Sequence, residues 1–396
     1  MTEAADQSPM PGRLTAAVAG HRLELLFSGS ERRERLHDLI AGAVRNIDLV
    51  MYIFADDSAG RAMVADLTAA ARRGVRVRAV IDSFGSATTP DTLFAPLRAA
   101  GGEVTFFSRR WRSSYLIRNH QKLILIDDAI AVTGGFNIAD TYLDEPHRDC
   151  WFDLGLIVKG TGVVQAARWF ERLHAYTVHH DGKLLMLRRL IRTWPQREGP
   201  ISWLVGGPTQ RLSPWARAVR SDLEGAARLD MAMAYFSPGQ GMLRRLGRVA
   251  RQGRARFVMA GRSDNAATIG ASRLLYGYLL RRRAEVWEYQ PCRLHMKLIV
   301  IDNVVYIGSA NFDVRSLFLN VEIMVRIADA KFAARMRDFL AGLEPDCTIV
   351  TRLSHRARAG WLTRLRWTLA WFMVGIVDYT VSRRLNFGLA DPDPDI

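Results

Sequence analysis

One 18-residue pattern occurs twice, at residues 120–137 and again at residues 295–312. A chain that repeats itself at an interval this long folds as two similar units, not as a solenoid of short repeats. His120, Lys122, Asp127, Gly134, Gly135 and Asn137 of the first copy are answered by His295, Lys297, Asp302, Gly308, Ser309 and Asn311 of the second. Each His-x-Lys is followed by a wholly apolar run, 123–126 and 298–301, which predicts a strand buried on both faces. Side chains two apart on a strand share a face, so each histidine points where its lysine points. Asp127 and Asp302 close the two runs, where the chain should turn, and the glycines beyond permit tight backbone and close approach to a phosphate. Asn137 and Asn311 can donate amide hydrogens to phosphate oxygens. Histidine, lysine and asparagine, each supplied twice, suit the gripping and attack of a phosphodiester.

The repetition extends upstream. Residues 70–77, around Gly74, are echoed by 249–256, around Gly253, and residues 102–107 by 284–289. Each half therefore alternates strands and helices, which predicts an α/β layer structure with a largely parallel or mixed sheet. The expected division is a disordered amino terminus over 1–20, a first domain over 21–180, a basic amphipathic linker over 181–204, a second domain over 205–350 and a carboxyl-terminal segment over 351–396.

Charge names a class of partner. Fifty-five Lys and Arg against 40 Asp and Glu leave a formal charge of +15, which favours nucleic acid or an acidic membrane surface without separating them. Two segments favour the membrane. In the linker, Leu187, Leu190, Ile191 and Trp194 recur at helical spacing among Lys183, Arg188, Arg189 and Arg192. There a helix that caps the core, with its arginines as a solvated rim, is the expected reading, and a membrane surface the alternative. From 361 to 385, Trp361, Trp367, Trp371, Phe372 and Tyr379 mix with Arg364, Arg366, Arg383 and Arg384, a composition suited to the lipid headgroup boundary. The uncharged run from 367 to 377 is 11 residues, too short to span a bilayer. The amino terminus has no apolar core of the signal-peptide kind. Cys150, Cys292 and Cys347 show neither paired nor metal-ligand spacing and are expected as reduced thiols. The expected location is cytoplasmic, peripheral on the inner face of the cell membrane. The arginines of 109–118 stand close enough before His120 to line the mouth of a site, or to form a solvated loop.

The doubled motif resembles the signature of the phospholipase D superfamily: His-x-Lys, four residues, Asp, then Gly-Gly or Gly-Ser followed by Asn. Six residues separate Asp127 from Gly134 but only five separate Asp302 from Gly308, which leaves the second turn open. Over residues 22–330 the layout is most similar to bacterial cardiolipin synthases of the short form without amino-terminal transmembrane helices. The resemblance implies two α/β/α sandwich domains with mixed sheets, related by a pseudo-twofold axis and sharing one active site.

The resemblance also implies roles. His120 would be the nucleophile, forming a phosphohistidine, and His295 the acid and then the base. Lys122, Lys297, Asn137 and Asn311 would hold the non-bridging oxygens, with no metal or other cofactor. Asp153 and Glu322 match the family positions that hydrogen-bond the histidines. Asp127 and Asp302 belong to the catalytic signature, although bracing the turn is the more natural task for them. The expected reaction is transfer of a phosphatidyl group between phosphatidylglycerol molecules. Hydrolysis to phosphatidic acid, or phosphodiester cleavage of nucleic acid, are the alternatives.

Overall fold

A computed structural model describes residues 14–108, 117–144, 149–180, 183–195, 199–209 and 212–374. The first half contains β1 (Leu14–Val18), β2 (His21–Leu26), β3 (Asn46–Met51), β4 (Arg76–Asp82), β5 (Glu103–Phe107), β6 (Leu123–Ile126), β7 (Ile130–Gly134), β8 (Trp151–Phe152) and β9 (Gly155–Lys159). The second contains β10 (Ile201–Gly206), β11 (Arg228–Met233), β12 (Phe236–Ser237), β13 (Arg254–Ala260), β14 (Glu285–Tyr289), β15 (Arg293–Leu294), β16 (Lys297–Ile301), β17 (Val304–Gly308), β18 (Phe312–Asp313), β19 (Glu322–Ala328) and β20 (Cys347–Ile349). Two eight-stranded sheets result, in the orders β1-β2-β9-β7-β6-β3-β4-β5 and β10-β19-β17-β16-β11-β13-β14-β20.

Seven strands correspond one for one, from β2 with β10 through to β5 with β14. The duplication read from the motif is therefore a duplication of topology. Both sheets are mixed: β3-β4-β5 and β11-β13-β14 run parallel, and the remaining pairs are antiparallel.

The helices are α1 (Gly29–Ala41), α2 (Ser58–Arg72), α3 (Ala95–Ala99), α4 (Asp140–Leu143), α5 (Val163–His180), α6 (Leu184–Arg192), α7 (Pro214–Leu223), α8 (Gln240–Gln252), α9 (Ala266–Leu280), α10 (Val314–Phe318), α11 (Ala330–Gly342), α12 (Arg352–Arg358) and α13 (Trp361–Phe372). Helices α1 and α2 cover the outer face of the first sheet, and α7 to α9 that of the second. Between the sheets lies a central core containing α5 and α11, where Trp169 and Phe170 meet side chains of both halves. The wholly apolar motif strands follow from this layering. Leu123 and Leu125 face the central core and Ile124 and Ile126 the outer one, as Leu298 and Val300 face inward and Ile299 and Ile301 outward.

A buried ion cluster is duplicated as well. Arg78 on β4 bonds Asp48 on β3 at 2.8 Å and Glu171 on α5 at 2.5 Å. Arg256 on β13 bonds Asp230 on β11 at 2.9 Å and also Glu344. The second turn has the simplest resolution: the β6–β7 loop is residues 127–129 and the β16–β17 loop is 302–303, so the shorter motif spacing is one loop residue fewer.

Two expected boundaries shift. Residues 14–18, assigned to a disordered terminus, pair antiparallel with β2 and extend the sheet, while 1–13 lie outside the described residues. Residues 201–204, assigned to the linker, belong to β10, whose Trp203 and Leu204 are fully buried. Helix α6 turns its apolar face inward. Leu187, Ile191 and Trp194 join the central core, and the Trp194 indole donates to the Trp203 carbonyl at 2.7 Å. Residues 109–116 and 375–396, carrying most of the arginine run and the end of the carboxyl segment, lie outside the described residues.

Candidate active site

Each His-x-Lys stands just before or at the start of its motif strand, and the backbone there crosses to the other half. The His120 amide donates to the Val321 carbonyl at 2.8 Å, and the Val321 amide to that of Arg118 at 2.9 Å. Reciprocally, β15 pairs parallel with β8, and the His295 amide donates to the Phe152 carbonyl at 2.8 Å. One residue beyond each crossing comes a carboxylate. Glu322 of the second half therefore faces His120 of the first, with His120 Nδ1 3.1 Å from its carboxylate. Asp153 of the first half faces His295 of the second, with Oδ2 2.6 Å from His295 Nδ1. These bonds place the imidazole proton on Nδ1 and leave Nε2 with its lone pair.

The lysines are almost wholly buried. Lys122 Nζ donates to the His120 carbonyl at 2.7 Å and lies 4.9 Å from the Tyr52 ring centre. Lys297 Nζ donates to the His295 carbonyl at 2.5 Å and lies against the His295 ring, 2.7 Å from Nδ1 and 3.0 Å from Nε2. Its stem passes over Gly135 of the other half, where a Cβ would stand 2.8 Å from Lys297 Cδ and 2.6 Å from Asp153 Oδ1. Glycine is required there by close approach. At the matching position Ser309 fills the space beside the longer Glu322 and donates to its Oε2 at 2.5 Å.

Burial governs the electrostatics. It pushes His120 down to about 4 against the pull of Glu322, and His295 down to about 3 with Lys297 adding to the effect. It lowers Lys122 to about 7 and Lys297 to about 8. Burial alone would raise the two carboxyls, but Lys297 and His295 around Asp153, and His120 and Lys122 around Glu322, outweigh it and hold both below their ordinary range. These surroundings favour two neutral imidazoles and two carboxylates around ammonium groups that lose protons unusually easily. A phosphodiester entering the site would raise all four cationic pKa values.

The asparagines flank this set. Asn137 Oδ1 accepts from the Ile53 amide at 3.2 Å, which leaves its NH2 to donate. Asn311 is nearly buried, and its Oδ1 has no hydrogen-bond partner among the described residues. Asp127 and Asp302 are a correction to the catalytic set. The Asp127 carboxylate accepts from the amides of Val44, Arg45 and Asn46, and that of Asp302 from Ala227 and Arg228. Both adopt positive φ, +54° and +45°, at the far end of the strand from the histidines. They brace the hairpins.

Four aromatic residues escaped the motif reading. Tyr52 packs edge-on to His120 at 4.6 Å, and Tyr142, Trp151 and Tyr235 surround His295 at 5.2, 5.1 and 6.3 Å. The Tyr142 hydroxyl lies 3.5 Å from His295 Nε2. Tyr52 and Tyr235 follow Met51 and Met233 at the ends of matching strands, a weak echo obscured by a one-residue offset. No comparable signal marks Tyr142, whose α4 position has Ser316 as its counterpart.

Comparison with known proteins agrees with this geometry. The family model described as cardiolipin synthase, PLD-like domain, matches residues 36–174 and 223–343. Cardiolipin synthase B of Salmonella typhi is 28% identical over 365 residues, covering 86% of this chain and 85% of that protein. The major cardiolipin synthase of Bacillus subtilis is 29% identical over 322 residues, covering 79% and 67%. Among solved structures, phosphatidylserine synthase of Haemophilus influenzae Rd KW20 superposes with a TM-score of 0.68 at 14% identity, over 93% of this chain and 96% of the other, a likeness of fold.

Proposed function

The chain belongs to the cardiolipin synthase, PLD-like domain family, and from that premise we propose that it is a phosphatidyltransferase of the cardiolipin synthase kind, working through a phosphohistidine. The observation carrying this reading is the reciprocal site, in which each half supplies a histidine and lysine and the other half supplies the carboxylate that orients them.

His120 Nε2 attacks phosphorus of a phosphatidylglycerol, and the bond from phosphorus to the glycerol oxygen breaks. Protonated His295 donates from Nε2 to that departing oxygen. In the second half-reaction His295 takes the proton of an incoming hydroxyl, whose oxygen displaces His120. When the hydroxyl belongs to a second phosphatidylglycerol the products are cardiolipin and glycerol. The assignment of the nucleophile is supported by an asymmetry. Among the described residues the His120 ring is bonded through Nδ1 alone, whereas the His295 ring meets Lys297 at both nitrogens and has the Tyr142 hydroxyl 3.5 Å from Nε2. Lys122, Lys297, Asn137 and Asn311 are assigned the non-bridging oxygens, where fixed donors in a dry site are worth most. Each correctly placed acid or base contributes about 100- to 10,000-fold.

The protein acts, on this reading, at the surface of a membrane containing anionic lipid. Among the described residues no helix is long and apolar enough to cross one. The test is incubation with phosphatidylglycerol vesicles in EDTA, with lipid products identified by mass spectrometry. Cardiolipin is expected, and His120→Asn should abolish both turnover and acid-labile trapping of labelled phosphate on the protein. Phosphatidic acid as the sole product would make the chain a hydrolase, and no lipid turnover would direct attention to nucleic acid.

A further inference from the structure

Helix α13 has two unlike faces. On one, Ala370 and Trp367 pack over Gly270 of α9, where a Cβ would stand 3.1 Å from Ala370 Cβ and 3.4 Å from Trp367 Cδ1. On the other, Trp361, Leu362, Leu365, Leu369, Phe372 and Met373 are all between 46 and 76% exposed. At 3.6 residues per turn these six side chains occupy an arc of about 120°, with Arg364 and Arg366 flanking it on either side. A solvated surface helix does not present six large apolar residues in one stripe. Residues 347–374 contain five arginines and no acidic residue.

Beside the stripe is a cleft of about 340 Å³ between α9, α12 and α13. Arg281, Arg352, Arg356 and Arg364 line it with His355 and Trp367, and no aspartate or glutamate does. The back of the cleft is built: His355 Nε2 bonds the Arg273 carbonyl at 2.9 Å, its ring lies 5.5 Å from that of Trp367, and Arg352 Nε donates to the Leu280 carbonyl at 3.0 Å. A second groove of about 460 Å³, lined by Arg244, Arg248, Arg251 and Arg282, shares Tyr278 with it, so the basic surface is continuous. Helix α9 connects this surface to the histidines. Just before its amino terminus, Asp264 accepts from the hydroxyl of Tyr235, whose ring packs against His295.

We propose that this cleft is a second lipid site, in which the guanidinium groups of Arg281, Arg352, Arg356 and Arg364 hold the phosphate of an anionic phospholipid while the apolar stripe of α13 enters the bilayer interface. The protein then docks through α12 and α13, and α9 holds the histidine site beside the membrane surface that carries its substrate. The apolar stripe selects a membrane over nucleic acid, which has no use for it, and the arginines select an anionic one. This deepens the phosphatidyltransferase reading and rests on it for the identity of the lipid.

The test measures vesicle binding with full-length His120→Asn protein, so that it does not depend on turnover. Phosphatidylcholine vesicles are compared with vesicles containing phosphatidylglycerol. Arg356→Ser combined with Arg364→Ser should weaken binding to the anionic vesicles about thirtyfold, about fivefold per basic residue near the surface, and leave binding to neutral vesicles unchanged. Leu365→Ser with Leu369→Ser should weaken binding to both by about tenfold or more. These four side chains are exposed, and circular dichroism checks that the variants fold.

The proposal is overturned if the double arginine variant binds anionic vesicles as tightly as its parent. It is also overturned if inorganic phosphate at millimolar concentration displaces the vesicles, or if the arginine variant loses affinity for single-stranded DNA alone. A leucine variant that changes only the oligomeric state would make the stripe a contact between copies of the chain. Arginine-dependent vesicle binding without any lipid turnover would retain the docking site and remove the transferase reading.

Discussion

Replacing Gly135 by alanine should disable the histidine of the other half. The added Cβ would stand 2.6 and 2.7 Å from the two oxygens of Asp153 and 2.8 Å from Lys297 Cδ. None of these can yield freely, because Asp153 is fully buried and bonded to both His295 and the Leu154 amide, and Lys297 is also buried. Relief to ordinary contact near 3.5 Å requires a relative shift of roughly 1 Å, and a misplacement of about 1 Å at a reacting group costs about 100-fold. Weakening the buried 2.6 Å bond adds about 1–3 kcal/mol of lost stability.

The expectation for Gly135→Ala is therefore a kcat about 100-fold lower, KM little changed, and a melting temperature lowered by several degrees. Steady-state turnover of phosphatidylglycerol, corrected for folded fraction, measures the first two, and calorimetry the third. The serine that naturally occupies the matching position sharpens the test. Ser309 fits only because Glu322 is one methylene longer, so Gly135→Ser should fail with Gly135→Ala even though the second half carries serine there. Activity within threefold of the parent for either variant would refute the claim that Gly135 positions Asp153.

Two further outcomes follow from buried charge. His120 titrates in the folded protein near 4 instead of 6.5, so between those values the unfolded chain binds more protons and stability falls as pH is lowered through that window. The contribution is about 3 kcal/mol. Denaturant melts at several pH values should show it, with a shallower slope in His120→Gln. In the second half, Asp230→Ala should destabilise by about 3–5 kcal/mol, since Arg256, only 3% exposed, would lose its fully buried partner. A loss below 1 kcal/mol in urea melts would show that Glu344 suffices to satisfy it.

Much of the fold was legible because its signals are local. The apolar runs before Asp127 and Asp302 announced strands buried on both faces, and the matched Gly74 and Gly253 turns announced the helices before β4 and β13. Errors arose where a segment's fate depended on distant partners. Residues 14–18 join the sheet through β2, and residues 201–204 pair with β19, a partner more than 100 residues away. The helical spacing of the apolar residues in α6 was enough to expect a core cap, and Leu187, Ile191 and Trp194 do close the central core, but which core they close depends on the docking of both sheets.

The site divides in the same way. By itself the sequence determined the chemistry: two histidines and two lysines at equal spacing, each followed by an asparagine at a spacing that differs by one residue, on strands whose period of two sets the direction of each pair. Asp153 and Glu322 were recognisable as partners by resemblance. Only the tertiary structure decided whose partners they are. Each carboxylate serves the histidine of the opposite half, because the backbone at 118–120 pairs with Val321 and that at 293–295 with β8. The same crossing sets Lys297 against Gly135, packs Tyr142 and Trp151 on His295, and brings the thiol of Cys292 to Cys150. It also buries all four titrating groups, which sets their pKa values. Spacing along a chain fixes which groups share a face of one strand, whereas contacts between strands of different halves, and the loss of water around them, exist only once the two sheets have docked.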